Sequence, residues 1–283
     1  MPEGGEPRDD PTPIPSAAHD AVMLADWLDG VAPLPAESID LVYADPPFNT
    51  GDRQETPPGA EDAGRSARTA YADSWPSMEG YVDWLRKRVA ATLPCLKPTA
   101  NLMIHVDFRT SHHVRLLLDD LLGPDRFVNH LVWHYGLGGS SPRRFARKHD
   151  DILFYCLDPD RYWFEAPRVA ATSQRLRGRT KKATDVLWMP EATQESTADV
   201  LDIASLNNMA KERTGYPTQK PVALLKLLIG ACCPPGGTVL DPCCGSGTTL
   251  VAAAHLDRTA LGFDINPDAV QLARERLAMS HRG

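Results

Sequence analysis

The run TVLDPCCGSGTTLVAA, residues 238–253, decides the fold. Thr238 to Leu240 make a short apolar strand that ends on Asp241. Gly245-Ser246-Gly247 then turns the chain into a helix that begins near Thr248. Glycines permit a tight turn and a close backbone approach to a ligand, and the free amides of a helix start favour negative charge. The next apolar run, Ala260 to Phe263, ends on Asp264, an acid placed to accept hydrogen bonds from ribose hydroxyls. No Gly-Lys-Ser/Thr follows the turn, which excludes a phosphate-binding loop of that type. A plain turn explains a lone G-x-G equally well. The succession of strand, acid, GSG, helix, strand and acid points to a nucleoside-type cofactor. Just upstream, Thr218-Gln219-Lys220-Pro221 opens another helix. Its amides and Lys220 suit a carboxylate, and a simple helix start accounts for it as well.

Working outward, four more apolar runs read as buried parallel strands. They are Ile39 to Ala44, ended by Asp45-Pro46-Pro47; Leu102 to Val106, ended by Asp107; Val128 to Trp133; and Ile152 to Cys156. In open parallel sheets ligands bind at the carboxyl ends of strands, so the four strand-end aspartates are candidate site residues. Helical spacing appears at Val82, Leu85, Val89 and Leu93, and after Pro221 at Leu224, Leu225 and Leu228. Asn266-Pro267 reads as a cap and first-turn proline before Val270, Ala273 and Leu277. This alternation predicts an α/β fold with a doubly wound, mostly parallel, Rossmann-like sheet. Residues 158–214 break the rhythm. They are basic, contain Tyr162, Trp163 and Trp188, and read as an insert.

The chain has 283 residues, 42% of them apolar and 24% charged, enough for one large domain or a domain with a substantial insert. No apolar run reaches the roughly 18 residues that a membrane-spanning helix needs. The proline-rich, acidic start MPEGGEPRDDPTPIP is not expected to be a signal peptide. Six cysteines, four of them in adjacent pairs, show no C-x-x-C spacing and suit neither a disulfide framework nor a metal site. The expectation is a cytoplasmic protein with reduced thiols and no metal. The net charge of −7 argues against a nucleic-acid partner until it is located. Residues 1–20 hold a net −4 and residues 52–73 a net −2. Both stretches have loop-like composition, so 1–18 is expected as a disordered tail and 52–73 as a mobile loop. Residues 161–182, with Arg175, Arg177, Arg179, Lys181 and Lys182, hold a net +6. Arg143, Arg144, Arg147 and Lys148 follow the run GLGGSSP. Such patches neutralise phosphates, and a solvated face has the same composition.

The run DLVYADPPFNTG, residues 40–51, carries the chemistry. Two prolines after a strand can simply stop it. That leaves an acid, two rigid carbonyls and an aromatic ring together at a strand end without a purpose. Methyl transfer to the exocyclic amine of a base supplies one. The amine lone pair is delocalised into the ring and attacks poorly. Hydrogen bonds from its N–H groups to two fixed acceptors, the Asp45 carboxylate and the Pro46 carbonyl, pull the nitrogen toward tetrahedral geometry and stabilise its developing positive charge. Phe48 offers a flat surface for a base turned out of the duplex.

On these motifs the chain resembles the S-adenosylmethionine-dependent amino DNA methyltransferases of the permuted beta group. In that family a D/N/S-P-P-Y/F motif precedes the cofactor G-x-G motif, with a target-recognition region between them. Here Asp45-Pro46-Pro47-Phe48, the basic insert and Asp241 to Thr249 stand in that order, supported by Thr218-Gln219-Lys220-Pro221, FDINP from Phe263, and the strand ending at Asp107. The resemblance spans about residues 20–279. It implies a circularly permuted fold: a catalytic half at 19–157, a target-recognition insert at 158–214 and a cofactor-binding half at 215–279. It implies that Asp45, Pro46, Pro47 and Phe48 are catalytic. It also implies that Asp26, Lys220, Pro221, Asp241, Cys243, Gly245, Ser246, Gly247, Thr248, Asp264 and Asn266 surround S-adenosylmethionine. Within that set Asp26 would approach the adenine amine and Asp264 the ribose. Cys243 stands where the family commonly has Phe, and Ala25 where it commonly has Gly.

The implied substrate is double-stranded DNA, with base flipping, in a restriction-modification or similar setting and at the nucleoid; relatives often form homodimers. Asp-Pro-Pro leans to adenine N6, with cytosine N4 as the alternative. A catalytically inactive DNA-binding subunit and a protein amide N-methyltransferase are two further classes, disfavoured by the complete catalytic run and the basic insert. Cytosine C5 chemistry would need a nucleophilic cysteine, and Pro94-Cys95 follows a helix rather than a candidate site strand.

Overall fold

The computed structural model describes residues 20–56, 68–135, 142–170, 180–187, 214, 216 and 218–280. In chain order the first half holds β1 (Ala21–Leu24), α1 (Trp27–Val31), β2 (Ile39–Ala44), β3 (Asp52–Thr56), β4 (Arg68–Asp73), α2 (Met78–Thr92), β5 (Leu96–Val106) and α3 (Ser111–Leu122). Then come β6 (Phe127–His134), β7 (His149–Cys156), β8 (Arg168–Ala170), β9 (Thr180–Lys182) and β10 (Val186–Leu187). The last part is α4 (Val222–Cys232), β11 (Thr238–Asp241), α5 (Thr248–Ala254), β12 (Thr259–Asp264) and α6 (Pro267–Ser280).

The main sheet has the order β1-β12-β11-β2-β5-β7-β6-β10. Its neighbours pair in parallel except at β7, which is antiparallel to both β5 and β6. The parallel reading of Ile152 to Cys156 is therefore corrected. A strand buried on both faces carries no sign of its direction in its apolar pattern. No crossover helix among the described residues joins β6 to β7, as suits an antiparallel pair.

Alternating side chains of the strands feed two cores. Leu41, Tyr43, Met103 and Val239 pack with α4, α5 and α6 on one face. Val42, Ala44, Ile104 and Leu240 pack with α1, α2 and α3 on the other. Helix α2 begins at Ser77, whose hydroxyl accepts the Gly80 amide, and buries Tyr81, Leu85 and Val89 at four-residue spacing. At α6 the Asn266 side chain accepts the Asp268 amide at 2.9 Å, and Pro267 fills the first turn.

Two connections leave the middle of the sheet in opposite directions. From β11 the chain passes through α5 to β12 on one side; from β2 it passes through α2 to β5 on the other. The crevice between the carboxyl ends of β11 and β2 is the switch point at which open α/β sheets bind ligands. Asp241 and Asp45 stand there.

The expected insert contributes the antiparallel pair β8–β9 and also the edge strand β10, which extends the main sheet beside β6. The ends of the expected loop 52–73 form the antiparallel pair β3–β4. The expected tail, 1–18, lies outside the described residues. No helix among the described residues is long and apolar enough to cross a membrane.

Candidate active site

A cavity of about 840 Å³, its mouth included, opens at this switch point. Asp26, Asp45, Asp241 and Asp264 line it against Lys220 and Arg88, with Trp27, Trp84, Tyr216 and Tyr43 as aromatic walls. Three of the four strand-end acids therefore converge on one space. The fourth, Asp107, does not line it; its carboxylate takes the Arg109 side chain and backbone amide.

Asp45 follows β2 directly. Its Oδ2 accepts a hydrogen bond from Lys220 Nζ at 2.6 Å, a contact that joins residues 175 positions apart. Its Oδ1 is buried and has no hydrogen-bond partner among the described residues. A buried unpaired acceptor costs about 1–3 kcal/mol, so the fold keeps an acceptor open for a donor that it does not itself supply. The same Lys220 ammonium lies 5.1 Å from the centre of the Phe48 ring. Phe48 stacks on His105, with ring centres 5.9 Å apart and planes 21° from parallel. His105 is fully buried and held between the Tyr43 hydroxyl at 2.7 Å and Asp150 at 3.2 Å. Behind the strand-end acid there is thus a polar cluster that fixes the aromatic ring.

The backbone around this pair is unusual. Asn49 and Thr218 have φ of 57° and 60°, in the left-handed region. Asn49 is kept there by buried Asp73, which accepts the Asn49 amide and the Thr50 hydroxyl, both at 2.6 Å. The first residues after Asp45-Pro46-Pro47-Phe48 are pinned, and β3 starts from that anchor.

On the β11 side, burial pushes the Asp241 carboxyl up to about 7. Hydrogen bonds from Thr249 and the Cys243 amide oppose the rise, and repulsion from Asp45 and Asp264 adds to it. The GSG turn follows this acid in the chain. Gly247 has φ of 76°, and a Cβ there would meet the Ala273 Cβ at 2.8 Å, so only glycine lets α5 sit on α6. Buried Arg276 of α6 donates to the Ser246 carbonyl at 2.6 Å and to the Ser246 and Thr248 hydroxyls. Asp264 accepts the Gly245 amide on one oxygen and the Asn266 amide on the other, each at 2.8 Å. Burial raises its carboxyl as well. Asp26 caps α1 through the Leu28 amide and pairs with Arg88 at 2.7 Å. Arg88 in turn lies 4.2 Å over the Trp84 ring.

Of the residues expected at a cofactor, Asp26, Lys220, Asp241, Cys243, Gly245, Ser246, Thr248 and Asp264 line the cavity. Pro221, Gly247 and Asn266 do not; they shape the α4 start, the α5 start and the α6 cap. Pro47 lines it beside Asp45, whereas Pro46 and Phe48 lie outside its lining. Lys220, read from the sequence as a partner for a ligand carboxylate, here holds Asp45. Burial and the neighbouring acids push the Cys243 thiol well up, so it packs as a small apolar group. Cys95 sits at the amino end of β5, at the opposite edge of the sheet, and burial raises its thiol too. This position offers no cysteine nucleophile to the cavity.

Of the basic residues, Arg143, Arg144 and Arg147 are exposed just before β7, and Lys148 is half-buried. Lys181 and Lys182 lie on β9, where Lys182 lines a second cavity under the insert. Arg175, Arg177 and Arg179 lie outside the described residues. Sequence reasoning missed Arg88, Arg276, Trp27, Trp84 and Tyr216. Arg88 and Trp84 carried a faint signal, four residues apart on one helix. Among the described residues no group of His, Cys, Asp and Glu has the arrangement of a metal site.

This geometry has counterparts in known proteins. A family model described as DNA methylase, of the N6/N4 type, matches residues 39–275. The chain is 27% identical over 250 residues to the type II methyltransferase M.HpaI of Haemophilus parainfluenzae, covering 88% of this chain and 71% of that protein. It is 26% identical over 260 residues to the DNA adenine methyltransferase YhdJ of Escherichia coli K12, covering 90% and 82%. Among solved structures it is similar in fold to the M1.HpyAVI complex with SAM (TM-score 0.58, 20% identity, 90% and 98% covered). It is also similar in fold to the cytosine-N4-specific PvuII DNA methyltransferase (TM-score 0.63, 16% identity, 92% and 88% covered). The strand-end acids, the switch-point cavity and the match across 39–275 place the chain in one family: it belongs to the N6/N4 DNA methylases.

Proposed function

We propose that this protein transfers a methyl group from S-adenosylmethionine to the N6 amine of adenine in double-stranded DNA, after the base is turned out of the helix. The observation that carries the reading is the buried Asp45 Oδ1, an acceptor with no donor among the described residues, on a side chain that lines an acid-rich cavity. The cavity suits the cofactor chemically. Four acids against two bases favour a ligand with cationic groups, and Trp27 and Trp84 suit an aromatic base. S-adenosylmethionine, when bound, supplies a sulfonium-activated methyl group.

The protein's own part is orientation. Asp45 Oδ1 and the Pro46 carbonyl receive the amine hydrogens and draw the nitrogen lone pair out of conjugation. Phe48, backed by His105, supports the face of the base. Asp264 and Asp26 take the ribose and adenine ends of the cofactor, and the Gly245-Ser246 turn lies along its methionine part, with Lys220 kept on Asp45. Residues 158–214 act as the target-recognition insert, with the basic residues before β7 and on β9 against phosphates. Burial of Asp45 Oδ1 keeps water from competing for that acceptor.

Adenine is favoured over cytosine N4 by the Asp at position 45 and by the likeness to YhdJ, a DNA adenine methyltransferase. The test is incubation with S-adenosylmethionine carrying a labelled methyl group and genomic DNA free of amine methylation, followed by nucleoside mass spectrometry. Label in N6-methyladenine is expected. Label in N4-methylcytosine would replace the adenine reading, and label in neither would remove the enzyme reading altogether.

A further inference from the structure

The segment that leads into β7 holds a side chain that the proposed chemistry does not use. Phe145 is 96% exposed. A single exposed apolar residue is ordinary; its company and position here are not. Arg143, Arg144 and Arg147, all exposed, surround it in the chain. The segment is tied to the body at two points. The Arg147 guanidinium lies 3.8 Å from the centre of the Phe108 ring, directly beyond the end of β5. The Lys148 carbonyl accepts the Tyr135 amide at 2.9 Å, just past the end of β6. Because β7 runs antiparallel, its start lies at the same sheet edge as Asp45. Ala44 pairs with Ile104 and Ile104 with Leu153, so β2 and β7 are two strand spacings apart, roughly 10 Å. An exposed ring with arginines on both sides in the chain therefore stands at the carboxyl edge of the sheet, the edge that also carries Asp45 and its open acceptor.

We infer that Phe145 is a wedge that enters the duplex stack and fills the gap left by the target base when that base turns toward Asp45. This rests on the DNA reading above. The arginines hold phosphates on either side and carry no ring to put between bases. The phenyl ring is flat, apolar and clear of the body, and it can replace the lost stacking partner of the neighbouring bases. It is a positioning residue, because it acts on the substrate helix and not on the reacting atoms.

The test uses the full chain, labelled S-adenosylmethionine and a synthetic duplex that holds a sequence the wild-type protein methylates in genomic DNA. Phe145→Ala is expected to slow single-turnover transfer on the matched duplex by roughly 30-fold, the scale of one lost base-stacking contact. Duplex affinity and its salt dependence are expected to stay within about twofold, because every arginine remains. A mismatched base opposite the target lowers the cost of extrusion and is expected to bring Phe145→Ala within about threefold of wild type on that substrate. An alanine variant as fast as wild type on the matched duplex overturns the inference, as does a slowed variant that the mismatch fails to rescue. A wild-type protein that methylates no duplex overturns the functional reading instead.

Discussion

Asp45 and Asp241 end neighbouring strands of one sheet, and the protein treats them in opposite ways. Asp45 is given a cation: Lys220 holds one of its oxygens and leaves the other unpaired. Asp241 has no ion pair of its own among the described residues. Burial and two nearby acids hold its carboxyl near 7, so it gains a charge only as pH or a ligand supplies the reason. The contrast teaches that residue type and strand position do not fix an acid's role. The side chains that approach from distant parts of the chain do. One acid is kept ready to accept hydrogen bonds, and the other is kept in want of a cation.

The largest test of that division removes the acceptor. Asp45→Ala is expected to slow methyl transfer at least about 10³-fold, the scale for losing a principal electrostatic group. Binding of S-adenosylhomocysteine by calorimetry is expected to stay within about threefold. Parallel loss of both would merge the two acids into one role.

Lys220 sharpens the comparison, because it lines the cavity and yet contacts Asp45. Lys220→Met is expected to lower transfer at saturating cofactor by about 10–100-fold, since the acceptor loses the group that orients it. Cofactor affinity should change much less. If affinity falls by the same factor as turnover, Lys220 serves the Asp241 side.

The smallest expected effect is a pH dependence. An acid raised in the folded state binds a proton that the unfolded chain has already lost. Asp241 therefore costs stability as pH rises from its ordinary range of about 4 toward 7, and no more above that. A cationic ligand favours the charged form, so affinity for S-adenosylmethionine should rise by up to about tenfold between pH 6 and 8. Titration calorimetry at the two pH values reads this directly, and Asp241→Asn should flatten it. Affinity that is level or falling in the wild type would count against the raised carboxyl.

Much of this edge was legible in the sequence because its signals are local. A strand, an acid and a glycine turn follow each other within a few residues at Asp241, and the same holds for Asp45-Pro46-Pro47-Phe48. The core faces of α2 and α6 were legible for the same reason, since helical spacing shows in one turn after another. The direction of β7 was not, because Ile152 to Cys156 is buried on both faces and reads alike either way round. The two residues of β10 are too few for a pattern. Arg276 could not be assigned to the Ser246 turn, since that contact spans 30 residues and depends on how α6 packs. Lys220 was assigned by its helix start, whereas its partner comes from 175 residues away.

The central claim is that the open oxygen of Asp45 receives the target amine. Its most direct measurement is the distance from that nitrogen to Asp45 Oδ1 in a structure with duplex DNA and S-adenosylhomocysteine. A hydrogen bond of about 2.7–3.2 Å is predicted, with the Pro46 carbonyl as the second acceptor. An extruded base whose amine lies elsewhere, with Oδ1 still lacking a donor, would contradict it.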